Sequence, residues 1–180
     1  MNQGVRAGRL GDGLLLHELA AATFHHACPP GVSAATAAAH VQRELSTDRF
    51  EQWLADPDHH IQVMTHDGAP VGYAVAVAGR PVAVTGELAD TQLLEETTLW
   101  FLSKFYVLAQ ARGSGVAGEL MDSVIQDATV NGSTGLWLTV NQLNPRANAF
   151  YERRGFRVVG TTTFPMGGQV HDDHVRLLRL

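Results

Sequence analysis

The chain has 180 residues, 45% of them hydrophobic and 17% charged, with a formal net charge of −5. That balance suits one globular domain, spanning residues 1–180, with a sizeable core, and the lack of a basic stripe argues against a nucleic-acid binder. The lone cysteine, Cys28, excludes an intrachain disulfide and a cysteine-based zinc site. The opening MNQGVRAGRLGDG has no apolar core or cleavage pattern, and no run approaches ~18 apolar residues. The expectation is a cytoplasmic, reduced protein with no membrane partner.

Residues 4–9 are expected to form a short first strand. Gly11-Asp12-Gly13 opens a helical segment to about His26, with Leu14, Leu15, Glu18, Leu19 and Ala22 on its apolar side. Pro29-Pro30-Gly31 breaks it. Ser33 reads as the N-cap of a helix over 35–45, and Ser46-Thr47-Asp48 starts a short helix over 49–54. Residues 60–65 and 71–77 alternate as strands, and the turn His66-Asp67-Gly68-Ala69 makes them a hairpin. Residues 79–97 carry little signal and read as loop. Residues 99–107 form a strand, with Leu99, Phe101, Ser103, Phe105 and Val107 on one face and Trp100, Leu102, Lys104 and Tyr106 on the other.

After Gly115, Val116, Leu120, Val124, Ile125 and Ala128 recur at helical spacing. Asn131-Gly132 closes that helix and residues 136–140 form a strand. Strand, helix and strand make a right-handed crossover with parallel strands. Asn144 as N-cap and Pro145 at the first helical position start a short helix that Gly155 ends. Residues 156–163 and 171–180 are the last two strands, joined through Pro165-Met166-Gly167-Gly168.

The hinge Gln110-Ala111-Arg112-Gly113-Ser114-Gly115 joins a strand to a helix N-terminus. Unpaired N–H groups and a partial positive charge attract phosphate there. Glycines let backbone approach a ligand, Ser114 adds a hydroxyl, and Arg112 and Gln110 add donors. A plain tight turn explains the glycines equally well. The hinge is no Walker loop, since no Gly-Lys-Ser/Thr follows. Gly113, Gly115 and Gly118 satisfy a bare Gly-x-Gly-x-x-Gly string, but the unit lies past mid-chain and its second strand ends in Asn141 rather than an acidic residue.

The hinge resembles the Gln/Arg-x-x-Gly-x-Gly/Ala pyrophosphate loop of the GNAT superfamily of acyl-CoA-dependent N-acetyltransferases. Independently, Asn144 to Phe156, NPRANAFYERRGF, is similar to that family's Asn-x-x-Ala-x-x-Phe-Tyr-x-x-x-Gly-Phe signature. The element order agrees over nearly the whole chain. Residues 102–107 and 164–167 further resemble a bacterial branch that includes polyamine acetyltransferases.

The resemblance implies an α/β fold with a mixed, mostly antiparallel sheet of about seven strands. One parallel pair splays apart, and four to five helices flank the sheet. It implies acetyl-CoA as co-substrate, no metal, and a small-molecule or peptide amine as acceptor, with a homodimer through the terminal strands as a further partner. Pyrophosphate would lie on about Arg112, Gly113, Ser114, Gly115, Val116 and Ala117, with Gln110 at its edge. Pantetheine would run along Phe105, Tyr106 and Val107, the Val107 N–H serving as oxyanion donor, with Asn141 and Asn144 opposite. Tyr151 would be the acid that protonates the departing thiolate; on helical spacing alone it reads as a core tyrosine beside Phe150.

The acceptor ammonium must also lose a proton. Glu95 or Glu96 is a candidate base, with a solvated loop as the alternative, and His59 and His60 are further candidates. In His171-Asp172-Asp173-His174, alternation divides the four side chains between two faces, against a metal site. A non-catalytic acyl-CoA-binding module on the same fold and a nucleotide-binding protein are the rival readings. The acceptor itself is set by residues 20–55 and the loops near 80–97 and 164–170, which carry no code that names it.

Overall fold

The structure, a computed structural model, describes residues 3–180. The first two residues of the stretch read as lacking an export signal lie outside the described residues. Seven strands form one open sheet: β1 (Gln3–Ala7), β2 (His59–His66), β3 (Ala69–Val77), β4 (Leu99–Val107), β5 (Gly135–Asn141), β6 (Arg157–Met166) and β7 (Gln169–Arg179). Their spatial order is β1-β2-β3-β4-β5-β7-β6, and every pairing is antiparallel except β4 with β5. The helices α1 (Gly13–Thr23), α2 (Ala34–Glu44) and α3 (Thr47–Ala55) pack on one face. On the other lie α4 (Val116–Val130) and α5 (Pro145–Arg153). None of the described helices is long and apolar enough to cross a membrane.

The expected caps form. The Ser33 hydroxyl accepts from Thr36 N–H at 3.1 Å, Ser46 from Arg49 N–H at 3.3 Å, and the Asn144 carbonyl from Ala147 N–H at 3.0 Å. Such a cap contributes ~1 kcal/mol. The α1 helix is capped differently. Glu51, on α3, accepts from the N–H groups of Gly11 and Gly13 at 3.1 and 2.8 Å, placing a carboxylate on the helix N-terminus.

That contact corrects the expected apolar side of α1. A Cβ on Gly13 would lie 2.6 Å from Glu51 Oε1 and 2.8 Å from Thr47 O, so Gly13 must face α3. The rotation this fixes buries Leu16, Leu19, Ala20 and Thr23, turns Glu18 and Ala22 to solvent, and leaves Leu14 57% exposed. The helix also ends at Thr23, and residues 24–26 tighten into a 3-10 turn.

The low-signal stretch 79–97 is a packed cover. Val82 and Leu93 are buried against Leu99, Trp137, Val175 and Leu177. Its backbone bonds to β6 through Gly86 N–H to Thr161 O at 3.2 Å and Ala89 N–H to Val159 O at 2.8 Å. The outer edge of β6 is thereby partly shielded from edge-to-edge pairing.

A further correction concerns β4. Val75 pairs with Lys104 and Ala76 with Leu102, so Ser103 is an extra residue, a β-bulge. The bulge reverses the alternation. Trp100, Leu102, Phe105 and Val107 face the α4 core, whereas Lys104 and Tyr106 face α1–α3. Had alternation continued unbroken, Lys104 would point into the apolar core under α4.

Candidate active site

Pairing of β4 with β5 is confined to Leu99–Gly135, Trp100–Leu136 and Phe101–Trp137. Beyond that point β4 stays with β3 as far as Val107–Gly72, and β5 stays with β7 as far as Asn141–Asp173. The two strands therefore diverge, each with one unpaired edge facing the other. Leu108 N–H donates to Val71 O at 2.8 Å. Alternation turns the preceding Val107 N–H away from β3, toward the opening.

A cleft of about 580 Å³ occupies this divergence. Its size suits a small-molecule site, and it is lined from both faces of the sheet. Tyr151, Ala147 and Asn144 contribute from α5, while Lys104, Tyr106 and Asp173 contribute from the α1–α3 face. Tyr151 is held edge-on by Phe105, Phe150 and Phe156, with ring centroids 6.3, 5.5 and 5.6 Å away. Burial pushes its phenol well above the ordinary value, and Tyr106 adds to the shift. Tyr106 is raised in the same way, by burial first and then by nearby Cys28 and Asp173. Both phenols thus keep their protons through the neutral range.

Asp173 is 7% exposed. Burial raises its carboxyl above the usual range, partly offset by hydrogen bonds from Asn141, at 3.4 Å, and Thr139. A buried carboxylate with raised proton affinity is suited to accept a proton. Lys104 Nζ donates to Ser103 O at 3.1 Å and Ser103 Oγ at 2.9 Å and lies 5.8 Å from the centre of the Trp53 ring. Burial pushes its ammonium down to about 8, an effect that Glu44 partly counters.

At one end of the cleft the chain forms the hinge before α4. Gly113 and Gly115 have φ of +83° and +90°, the left-handed region, and a Cβ on either would meet nothing within 4 Å. The glycines are required by conformation, and the space beside them is open. The first helical bond of α4 is Glu119 N–H to Gly115 O, at 3.2 Å, so the N–H groups of Val116, Ala117 and Gly118 have no partner inside the helix. Ser114 is less available than expected, because its hydroxyl donates to Ala111 O at 2.6 Å. Arg112 is exposed, and Arg146, at the start of α5, is close enough to depress the Arg112 pKa after burial has done so. Neither guanidinium forms an ion pair among the described residues. Two unpaired cations beside unpartnered N–H groups fit a phosphate-bearing ligand.

Of the residues expected at the site, Phe105, Tyr106, Asn141, Asn144 and Tyr151 line the cleft, and Val107 adjoins it at the end of β4. Gln110 sits exposed in the hinge. Asn144 spends its side-chain oxygen on the α5 cap. Asn141 accepts from Leu143 N–H at 2.9 Å and donates toward Asp173.

The expected bases lie elsewhere. Glu96 accepts from Arg179 and from Thr134, both at 2.6 Å, at the opposite end of β4 from the cleft, and the adjacent Glu95 is exposed. Both precede the strand, at the end where β4 is still paired with β5, whereas the opening lies at its carboxyl end, along residues 105–107. His59 bonds Asp56 at 2.9 Å and stacks on Trp53, and His60 bonds Asp127 at 3.0 Å; neither lines the cleft. Asp173, Lys104 and Arg146 are the cleft and rim residues that sequence reasoning missed. A weak signal existed for Asp173, an acidic residue amid an otherwise core-facing register on β7.

The sequence matches the acetyltransferase (GNAT) family over residues 18–156. An uncharacterized N-acetyltransferase of Mycobacterium tuberculosis is 38% identical over 165 residues, covering 92% of this chain and 96% of that protein. Among solved structures, the PaiA N-acetyltransferase from Thermoplasma acidophilum in complex with coenzyme A superposes with a TM-score of 0.78 at 14% identity, over 100% of both chains. The ribosomal-protein-alanine N-acetyltransferase from Brucella melitensis does so with 0.70 at 19% identity, over 98% of this chain and 99% of that one. With the splayed parallel pair and the hinge before α4, these likenesses make the chain a member of the acetyltransferase (GNAT) family, and an acetyltransferase.

Proposed function

We propose that the enzyme transfers the acetyl group of acetyl-CoA to a primary amine of a small molecule or peptide, by direct attack in a ternary complex. One observation carries this reading: the parting of β4 from β5 leaves the Val107 N–H and the Tyr151 phenol facing the same opening. The hinge supports acetyl-CoA as donor. Val116–Gly118 N–H groups and Arg112, with Arg146 beside it, suit the pyrophosphate, and the open space beside Gly113 and Gly115 leaves room for it.

The amine attacks the thioester carbonyl from the Lys104–Tyr106–Asp173 side. The Val107 N–H stabilises the negative charge that develops on the carbonyl oxygen. As the carbon–sulfur bond breaks, Tyr151 gives its proton to the thiolate, and the raised phenol pKa keeps that proton in place until then. An alkyl ammonium of pKa ~10.4 is neutral in roughly one molecule in ~2,500 at pH 7, a cost of ~4.6 kcal/mol. Asp173, buried in the cleft wall, is the group suited to take that proton, in place of Glu95 or Glu96.

The test is a panel of amines incubated with acetyl-CoA and followed by release of free thiol and by mass of the product. Acetylated amine with stoichiometric thiol is expected. Acetyl-CoA binding with no transfer to any amine in the panel would contradict the reading.

A further inference from the structure

Lys104 is the one charged side chain that β4 contributes to the cleft, and the Ser103 bulge is what turns it there. Its ammonium has no carboxylate partner among the described residues. The two acidic groups of the cleft are engaged elsewhere. Glu44 accepts from Arg43 Nε at 2.7 Å, and Asp173 is held by Asn141. Ser103 satisfies two of the three ammonium donors, and the face of Trp53 supplies the rest of the local attraction. A cation so placed, in a wall that includes the rings of Phe24, Trp53, Tyr106 and Phe164, costs free energy that an incoming anion would offset. Asp173, on a different strand of the same cleft, offers the opposite charge. Arg43 and Glu44 of the lining bond each other, so the acceptor side of the cleft leaves one cation, Lys104, and one acidic group, Asp173, outside that pair, with aromatic surface between elements α2, α3, β4, β6 and β7.

From this we infer that the acceptor is an amino-carboxylate with an apolar, preferably aromatic, side chain, its carboxylate paired with Lys104 and its amine directed to Asp173. The inference rests on the acetyl-transfer reading of the cleft for the fate of the amine, but the carboxylate site stands on Lys104 alone. A polyamine fits poorly, because it brings only further cations to Lys104 and Arg43.

Calorimetric titration of the full chain, saturated with coenzyme A, compares 3-phenylpropionate with its neutral isostere 3-phenylpropanamide. The acid is expected to bind at least about tenfold more tightly. Lys104→Met should bring the two within about twofold of each other, Lys104→Arg should keep part of the difference, and acetyl-CoA affinity should be unchanged in both. With turnover, L-phenylalanine should exceed 2-phenylethylamine in kcat/KM by a similar factor, lost in Lys104→Met mainly through KM. Equal binding of acid and amide by the wild type, or a preference that survives Lys104→Met, overturns the inference. Thiol release from neither amine, with the acid still preferred in titration, would count against acetyl transfer to this acceptor class and leave the carboxylate site standing.

Discussion

In its first three residues β4 is an interior strand: Leu99, Trp100 and Phe101 pair with β3 or β5 on either side, and Leu99 is fully buried. In its last five, Ser103–Val107, the same strand keeps only its β3 neighbour, carries a bulge, and lines an opening. The residue types differ little in strand propensity. What differs is whether a neighbour satisfies the second edge. Where β5 does so, side chains contribute packing; where β5 has moved to β7 alone, backbone donors and Lys104, Tyr106 and Tyr151 face a ligand-sized space. Stability and chemistry are thus divided along one strand, and substitutions in the two halves should have separable effects.

The largest effect is expected in the open half. Tyr151→Phe should lower kcat by about 10²–10³-fold, with little change in melting temperature or in KM for acetyl-CoA. Steady-state kinetics beside a thermal melt checks this, and a kcat within twofold of wild type would remove Tyr151 from the acid role. Leu99→Ala, in the paired half, should do the reverse. It should cost about 2–5 kcal/mol of stability through lost burial and a residual cavity, measured by urea unfolding, and leave the kcat of the folded fraction unchanged.

Lys104 gives the comparison a pH dependence. Its pKa is about 8 folded, against an ordinary 10.5, so between those values the unfolded chain holds more protons. Stability therefore rises with pH from about 8 to 10.5, and below 8 the folded state bears the full cost of the buried charge. Lys104→Met should then be the more stable form at pH 7, by roughly 1–3 kcal/mol after allowance for solvent access from the cleft, and the difference should fade at alkaline pH. Denaturant unfolding at pH 7 and pH 10 measures it. Glu44 and Arg43 flank the ammonium from α2, His40 lies on the same helix, and Asp173 lies on β7. Repeating the comparison in Glu44→Gln would isolate the lysine. The smallest effect is expected from Glu96→Gln, which should leave kcat and its pH profile within about twofold of wild type, since Glu96 bonds Arg179 and Thr134 far from the opening.

Much of this arrangement is legible in the sequence, for local reasons. Asn144-Pro145 fixes the start of α5, and with it the inward position of Tyr151, through a cap and a proline that need no tertiary partner. The apolar stripe of α4 and the glycines before it, both at positive φ, are likewise local. What could not be read depends on partners. The Ser103 bulge is set by register against β3, and residues 99–107 alternate as well with it as without it. Asp173 enters the cleft because β7 inserts between β5 and β6, a matter of strand order. The rotation of α1 follows from Gly13 meeting Glu51, 38 residues away, among consecutive leucines that permit several phases.

The central claim is that the reaction occurs where β4 leaves β5. A crystal structure with acetyl-CoA bound tests it most directly. The account predicts the thioester carbonyl oxygen at hydrogen-bond distance from Val107 N, about 3 Å, with the Tyr151 phenol facing the sulfur. A thioester lodged away from the opening, with Val107 N–H bonded to water or protein instead, would contradict it.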